Sequence, residues 1–288
     1  MPTELDALRR QIDEIDTALH DLVQQRTAIV ERIGKAKGAG KALALRPGRE
    51  AMVLRRLLGR HTGSFPRGAL VRLWREMISA VTTLQGPFTI TVCVPDEKRG
   101  FWDMARDHFG VQVPMRRHTT AARVLADIAE DPNAVGMLPL PFEGDAQPWW
   151  PALASNEKTT PQIVARAPFF RTDNPRTEGL SALVVARLTP EPSGEANSKL
   201  DRSLLVLESS TDVSRSRIAS ALKAAKLPAF TSAIRREVNG GGALYLIELP
   251  VFIIAGDPRL AALEQALATP DARLTPVGAY AVPVDLAG

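Results

Sequence analysis

The sequence predicts a multidomain chain: an all-α three-helix unit, then an α/β lobe, then a closing ferredoxin-like βαββαβ unit. Three observations carry this. Apolar residues recur at three- and four-residue spacing as far as about Gln85. Beyond Pro87 the period shortens to that of strands alternating with helices. From Ser203 onward the order is strand, helix, strand, strand, helix, strand.

The first helix is the clearest element. Its apolar residues fall at 5, 8, 12, 15, 19, 22, 29 and 33, which predicts one helix from Leu5 to about Lys37. At ~1.5 Å per residue such a helix is roughly 50 Å long. Short neighbours in the same chain cannot cover that seam, so a second copy of the chain is expected. Gly38-Ala-Gly40 ends the helix, and Pro47 suits the first turn of a second one running to about Arg60, with Val53, Leu54, Leu57 and Leu58 on its apolar face. A turn at Gly63-Ser-Phe-Pro66 leads to a third helix reaching about Gln85, with Leu70, Leu73, Trp74, Met77, Ile78 and Val81 expected inward.

After Gly86-Pro87 the expected elements are a strand from Phe88 to Val94, a helix from Gly100 to Phe109, a strand from Val111 to Arg116, a helix from Thr119 to Ala129 and a strand from Ala134 to Leu140. Phe142 to Pro161 reads as a loop holding Trp149 and Trp150, whose expected use is core packing. Strand-like runs return at Gln162 to Ala167 and Ser181 to Arg187, and Pro190-Glu-Pro-Ser-Gly194 reads as a linker. The closing unit runs as strand Ser203 to Glu208, helix Ser214 to Ala225, strand Ala229 to Arg236, a turn at Gly240-Gly-Gly242, strand Ala243 to Phe252, helix Pro258 to Ala268 and strand Thr275 to Val282. Domain boundaries are expected at 1–87, 88–195 and 196–288.

Composition narrows the function classes. Of 288 residues, a single one is cysteine, Cys93 within Thr89-Ile-Thr-Val-Cys-Val94, which excludes a disulfide framework and predicts a buried thiol. His20, His61, His108 and His118 have no ligand spacing, so no metal is expected. The N-terminal Met1-Pro-Thr-Glu-Leu-Asp6 lacks a basic and apolar leader, and the longest apolar run, Ala243 to Gly256, contains Glu248 and Pro250. A cytoplasmic protein without membrane spans is expected. The net charge of +4 is unevenly held: residues 1–87 carry 15 Lys+Arg and 9 Asp+Glu, net +6, whereas the remainder is net −2. With only two Tyr there is no aromatic and basic interleaving, so nucleic acid is not the expected partner.

Polar residues stand where the helical stripes call for apolar ones. In the first helix the seam lands on Arg26 and, beyond Ile33, on Lys37. The two are eleven residues apart, about 20° around the helix axis, and share a face. Glu50 precedes Val53, Leu54 and Leu57 by three, four and seven, and Gln85 follows Val81 and Ile78 by four and seven. Inward charges need partners. Either Arg26 or Lys37 pairs with Glu50 in a structural network, or the charged ends snorkel to water at the helix ends, or the set forms a receptor for a small polyanion carrying a hydroxyl and an ether or carbonyl oxygen. No Ser-His-Asp or Cys-His set, paired carboxylates or phosphate loop is visible, which points to chemistry by electrostatics and positioning.

The segment Leu8-Arg-Arg-Gln-Ile-Asp-Glu-Ile-Asp16, then Arg26, Ile33-Gly-Lys-Ala-Lys37, Arg49-Glu50, Leu73-Trp74 and Gln85 resembles the all-helical chorismate mutase family over residues 4–86. The resemblance implies an intertwined homodimer in which each site takes Arg9 from the other chain. Arg9 lies about 100° around the helix from Arg26, which suits that exchange. It further implies that Arg26 and the second chain's Arg9 each hold a carboxylate of chorismate. Lys37 and Gln85 donate to the ether oxygen, Glu50 accepts from the ring hydroxyl and Arg49 lines the pocket. The implied reaction is the Claisen rearrangement of chorismate to prephenate, with no cofactor and no covalent intermediate. The chain departs from the family at Arg46, where an acidic residue often stands, and at Val81, where a small polar residue often stands.

Downstream, Val94-Pro-Asp-Glu-Lys-Arg-Gly-Phe101, the strand from Ala134 to Pro139 and Leu274-Thr-Pro-Val-Gly-Ala-Tyr280 resemble the order of a prephenate dehydratase lobe followed by an amino-acid-sensing ACT domain. About twenty residues, Phe142 to Pro161, stand where a second lobe belongs. The catalytic Thr-Arg-Phe motif is absent, the nearest stretch being Phe169-Phe-Arg-Thr-Asp173. The resemblance therefore implies a mutase with a degenerate dehydratase-like and ACT-like remainder. The alternatives are a bifunctional mutase and dehydratase, or a non-catalytic sensor that uses the helices to dimerise.

Overall fold

A computed structural model of the chain describes residues 3–36, 43–96, 98–155, 157, 159–170, 175–195, 199–238, 242–269 and 271–284. Lys37, the Gly38 to Gly40 stop, Arg171 to Asp173 and Gly240-Gly241 of the expected turn lie outside the described residues.

Three helices lead: α1 (Glu4–Ala36), α2 (Pro47–Arg60) and α3 (Arg67–Thr83). No residue of α1 is buried, and its seam from Leu5 to Ile33 is open, Leu22 being 59% exposed. Helices α2 and α3 instead pack on the sheet that follows. Ala51, Leu54 and Leu58 of α2 and Val71 of α3 share a core with Phe169, Phe170 and Ala281.

That packing corrects the expected face of α3. Its buried residues are Val71, Arg75, Ile78, Ser79, Val81 and Thr82. Of the expected stripe, Ile78 and Val81 are buried, Leu70, Trp74 and Met77 are half-buried, and Leu73 is 53% exposed. The helix has two apolar flanks about one residue apart in register. The sheet takes the Val71 flank and leaves Leu73 uncovered, on the same molecule that leaves the α1 seam uncovered.

The sheet has nine strands. Their ranges are β1 (Thr89–Cys93), β2 (Met115–His118), β3 (Ala134–Pro139), β4 (Gln162–Ala167), β5 (Ala182–Ala186), β6 (Asp201–Ser209), β7 (Ser232–Val238), β8 (Gly242–Leu249) and β9 (Arg273–Ala281). The spatial order is β2-β1-β3-β5-β4-β9-β6-β8-β7. Strand β1 pairs in parallel with β2 and β3, and β5 runs antiparallel to both β3 and β4. The last four strands pair antiparallel in the ferredoxin-like order, fourth, first, third, second of their unit. Strand β2 begins later than expected. Pro114 has no N–H for a ladder, and pairing starts with Met115 opposite Ile90.

The α/β lobe and the ferredoxin-like unit are one sheet, not two separate layers. They join where Ile163 of β4 pairs in parallel with Gly278 of β9. Gly278 has φ +141, and a Cβ there would lie 2.2 Å from Ile163 O, so only glycine lets the two backbones approach.

Helices α4 (Gly100–Phe109) and α5 (Ala121–Glu130) cover opposite faces of the lobe, while α6 (Arg215–Ala224) and α7 (Pro258–Leu267) cover one face of the ferredoxin-like unit. Part of the loop after Phe142 lies on the other side. There Trp149, Trp150 and Leu153 pack with Leu204, Val206 and Tyr280, and Trp149 Nε1 donates to Pro139 O at 3.0 Å. Both Trp side chains are core, as the sequence predicts. The described part of this loop holds a single 3₁₀ turn (Trp150–Leu153) and no second lobe.

The expected linker is not a free tether. Ser193 is 2% exposed; its Oγ donates to Asp201 Oδ1 at 2.5 Å, and its N–H lies 3.1 Å from both carboxylate oxygens.

Candidate functional site

The described candidate residues sit on α1 and α2 and, for Gln85, on the turn that follows α3. Arg9 is exposed near the start of α1, with Nη1 3.7 Å from Asp6 Oδ1. Arg26 is half-buried in the second half of α1. Its Nη1 is closed off from solvent and has no hydrogen-bond partner among the described residues, and desolvation lowers its pKa. A guanidinium nitrogen so placed costs free energy until an anion meets it. Gln85, just beyond α3, is half-buried and donates its N–H to Thr82 O at 3.0 Å. A Cβ on Gly34 would stand 3.6 Å from Gln85 Cγ, so the end of α1 lies against Gln85. Lys37 follows three residues after Gly34, outside the described residues.

On α2, Arg49 is exposed while Glu50 turns inward. Among the described residues Glu50 pairs not with Arg26 but with Arg75 of α3, whose Nη1 donates to Glu50 Oε2 at 3.1 Å. Both side chains are nearly excluded from water. Arg75 Nη1 is also 3.5 Å from His108 Nε2 on α4, and its guanidinium lies 5.2 Å above the Phe169 ring. Burial pushes the Glu50 carboxyl upward and the charge of Glu191 adds to that, while Arg75 opposes it. Burial, with Arg75 beside it, drives His108 well below its usual range, so the ring is neutral and can offer Nε2 to the guanidinium. Burial also lowers Arg75, and Glu50 opposes that shift.

Arg75, His108 and Glu191 were not anticipated from sequence. Arg75 has the signal that marked Arg26: it stands between Val71 and Ile78 at spacings of four and three on a buried stripe. Arg46 bonds the Glu191 carboxylate, with Nε 2.9 Å from Oε2. Val81, the other departure, is buried.

Elsewhere the nucleophile inventory is short. Cys93 is buried and its thiol is pushed up to about 11, so it stays protonated near neutral pH. Among the described residues no group of three His, Cys, Asp or Glu could hold a metal ion, and no helix is long and apolar enough to cross a membrane.

Residues 8–86, which contain every one of the candidate residues from Arg9's neighbour Leu8 to Gln85, match the family model described as Chorismate mutase type II. This segment is similar to chorismate mutases of type II. Similar curated proteins carry a second name. A bifunctional chorismate mutase/prephenate dehydratase of Stutzerimonas stutzeri is 26% identical over 144 residues, covering 48% of this chain and 39% of the relative. One of Neisseria gonorrhoeae is 36% identical over 87 residues, 30% of this chain and 24% of the relative. The chain thus spans about two-fifths (39%) of the length of the first of these relatives. Among solved structures, prephenate dehydratase in complex with L-Phe from Arthrobacter aurescens aligns at a TM-score of 0.48 and 12% identity, covering 67% of this chain and 90% of that one. Downstream of the matched segment lies the mixed α/β sheet described above.

Proposed function

We propose that the chain is a homodimeric chorismate mutase. Its three units are the mutase helices of 1–87, a partial dehydratase-like α/β domain of 88–195 and an ACT-like domain of 196–288. The observation that carries the reading is the ordered cationic set inside the matched segment, in which Arg26 offers a desolvated Nη1 with no partner among the described residues.

Chorismate is a dianion, and its rearrangement needs no nucleophile. Arg26 and the Arg9 of a second copy clamp one carboxylate each, selecting the compact conformer in which the bond-forming carbons approach. Lys37 and Gln85 donate to the ether oxygen as charge develops on it, and the Gly34–Gln85 contact fits that convergence. Glu50 accepts from the ring hydroxyl and Arg49 lines the pocket. The uncovered α1 seam supports the dimer, since a helix with apolar residues from Leu5 to Ile33 in water requires a partner of the same length.

A second reading, a bifunctional mutase and dehydratase, is favoured by the names of the relatives. Against it, the described part of residues 142–161 holds a short 3₁₀ turn packed on the sheet where a second lobe would enclose a cleft. The ferredoxin-like strand order supports the ACT-like domain. A cytoplasmic location and the absence of a cofactor belong to this proposal too.

The test is to follow chorismate loss and prephenate formation with wild type and Lys37→Ala. Turnover by wild type, lost in the variant, is expected; equal turnover overturns the role of Lys37. Phenylpyruvate formation from prephenate at a comparable rate would establish the bifunctional reading instead.

A further inference from the structure

Helix α2 lacks a cap of its own. Its N-cap residue is Arg46, whose side chain cannot accept a hydrogen bond and makes none to the helix N-terminus. A carboxylate from 145 positions downstream fills the place. Glu191 Oε1 accepts the N–H of Arg49 at 3.1 Å, and Arg46 Nε donates to Glu191 Oε2 at 2.9 Å. The same stretch is pressed along the helix at two further points. A Cβ on Gly48 would stand 2.5 Å from Glu191 O and 2.8 Å from Pro192 O, so glycine is required for the backbone to pass. Arg55 Nη1 donates to Ser193 Oγ at 2.7 Å, and its Nη2 to Leu200 O at 3.1 Å and Val282 O at 2.7 Å.

We propose that Glu191 is a positioning residue for the Arg49–Glu50 end of α2, so that the mutase site is completed by the stretch joining the two halves of the downstream sheet. The inference rests on the mutase reading above. A carboxylate at the first turn satisfies an orphan N–H and complements the positive end of the helix dipole, which fixes the backbone that carries Arg49 and Glu50. Its charge also acts on Glu50 directly. The groups acting on Glu50 are Arg75 of α3, with neutral His108 of α4 beyond it, the Arg46 backbone, and Glu191; Arg166 of β4, which lines the same small cavity as Arg75 and His108, donates to Tyr280 OH. Arg75 draws Glu50 toward ionisation and Glu191 opposes it.

The experiment uses the full chain and measures kcat and KM for chorismate against pH in wild type, Glu191→Gln, Glu191→Asp and Ser193→Ala. Ser193→Ala loosens the same stretch without changing charge near Glu50. Glu191→Gln is expected to lower kcat/KM about tenfold, the scale of a small misplacement of catalytic groups. It should also move the acid limb to lower pH, because Glu50 ionises more easily without its like-charged neighbour. Glu191→Asp should restore part of both, and Ser193→Ala should lower Tm while leaving the acid limb in place. Unchanged kinetics in Glu191→Gln, or a loss with the limb unmoved as in Ser193→Ala, overturns the inference and leaves the mutase reading standing. A wild-type chain without turnover overturns both.

Discussion

Glu50 of α2 and Arg75 of α3 form an ion pair at 3.1 Å on the face by which the helices dock to the sheet, backed by His108 and the Phe169 ring. The residue read as a hydroxyl acceptor is thus tied, through one guanidinium, to the element beneath it. Neither charge is close to water, so each is tolerable only in the presence of the other.

Arg75→Met should therefore cost about 3–5 kcal/mol, the usual penalty for stranding a buried charge, whereas Arg75→Met with Glu50→Met should recover most of it. Urea denaturation of the two single variants and the double closes the cycle. A cost under about 1 kcal/mol for Arg75→Met would show the pair to be dispensable.

His108 sets a pH dependence of stability. Its folded pKa is depressed by burial and by Arg75, so below about 6.5 the unfolded chain binds a proton that the folded chain refuses. Stability is full above about 6.5 and falls as the pH drops toward the folded value, by at most about 1.4 kcal/mol per pH unit. Unfolding free energies between pH 7 and 5 should show this slope in wild type and a shallower one in His108→Phe. Parallel slopes would remove His108 from the account.

The helices and strands were legible because their signals are local: a seam with three- and four-residue spacing from Leu5, Pro47 at a first turn, strands between Gly and Pro. What pairs with what was not. Strand β5 inserts antiparallel between β3 and β4, and β9 joins β4, through contacts far apart in sequence that no periodicity encodes. At the site, Arg26, Glu50 and Gln85 announce themselves as polar residues on apolar stripes. Arg75 carries the same mark but belongs to the neighbouring flank of α3, and choosing between flanks requires knowing that the sheet, not α1, lies beneath. Glu191 was illegible as a cap because its partner Arg49 is 142 positions away.

Gly278 joins the two halves of the sheet, and Gly278→Val should separate them. The new side chain meets the Ile163 backbone at 2.2 Å in a conformation that a β-branched residue does not adopt. The expected outcome in calorimetry is a lower Tm with the single transition split in two, the ferredoxin-like unit and the remainder melting apart. One transition at the wild-type Tm would mean that the junction gives way at little cost.

The proposed dimer makes the sharpest prediction, because the proposed site draws Arg26 from one chain and Arg9 from the other. Arg9→Ala and Arg26→Ala should each lose most mutase activity. If the two inactive proteins are unfolded together and refolded, random pairing makes half of the dimers mixed. In a mixed dimer one site collects both substitutions and the other collects neither. About one quarter of wild-type activity should therefore return, by the statistics of an isologous two-fold pair. Sites built from a single chain would stay dead in every combination. Leu19→Glu, which places a charge in the middle of the exposed α1 seam, should yield a monomer by sedimentation and abolish the recovery.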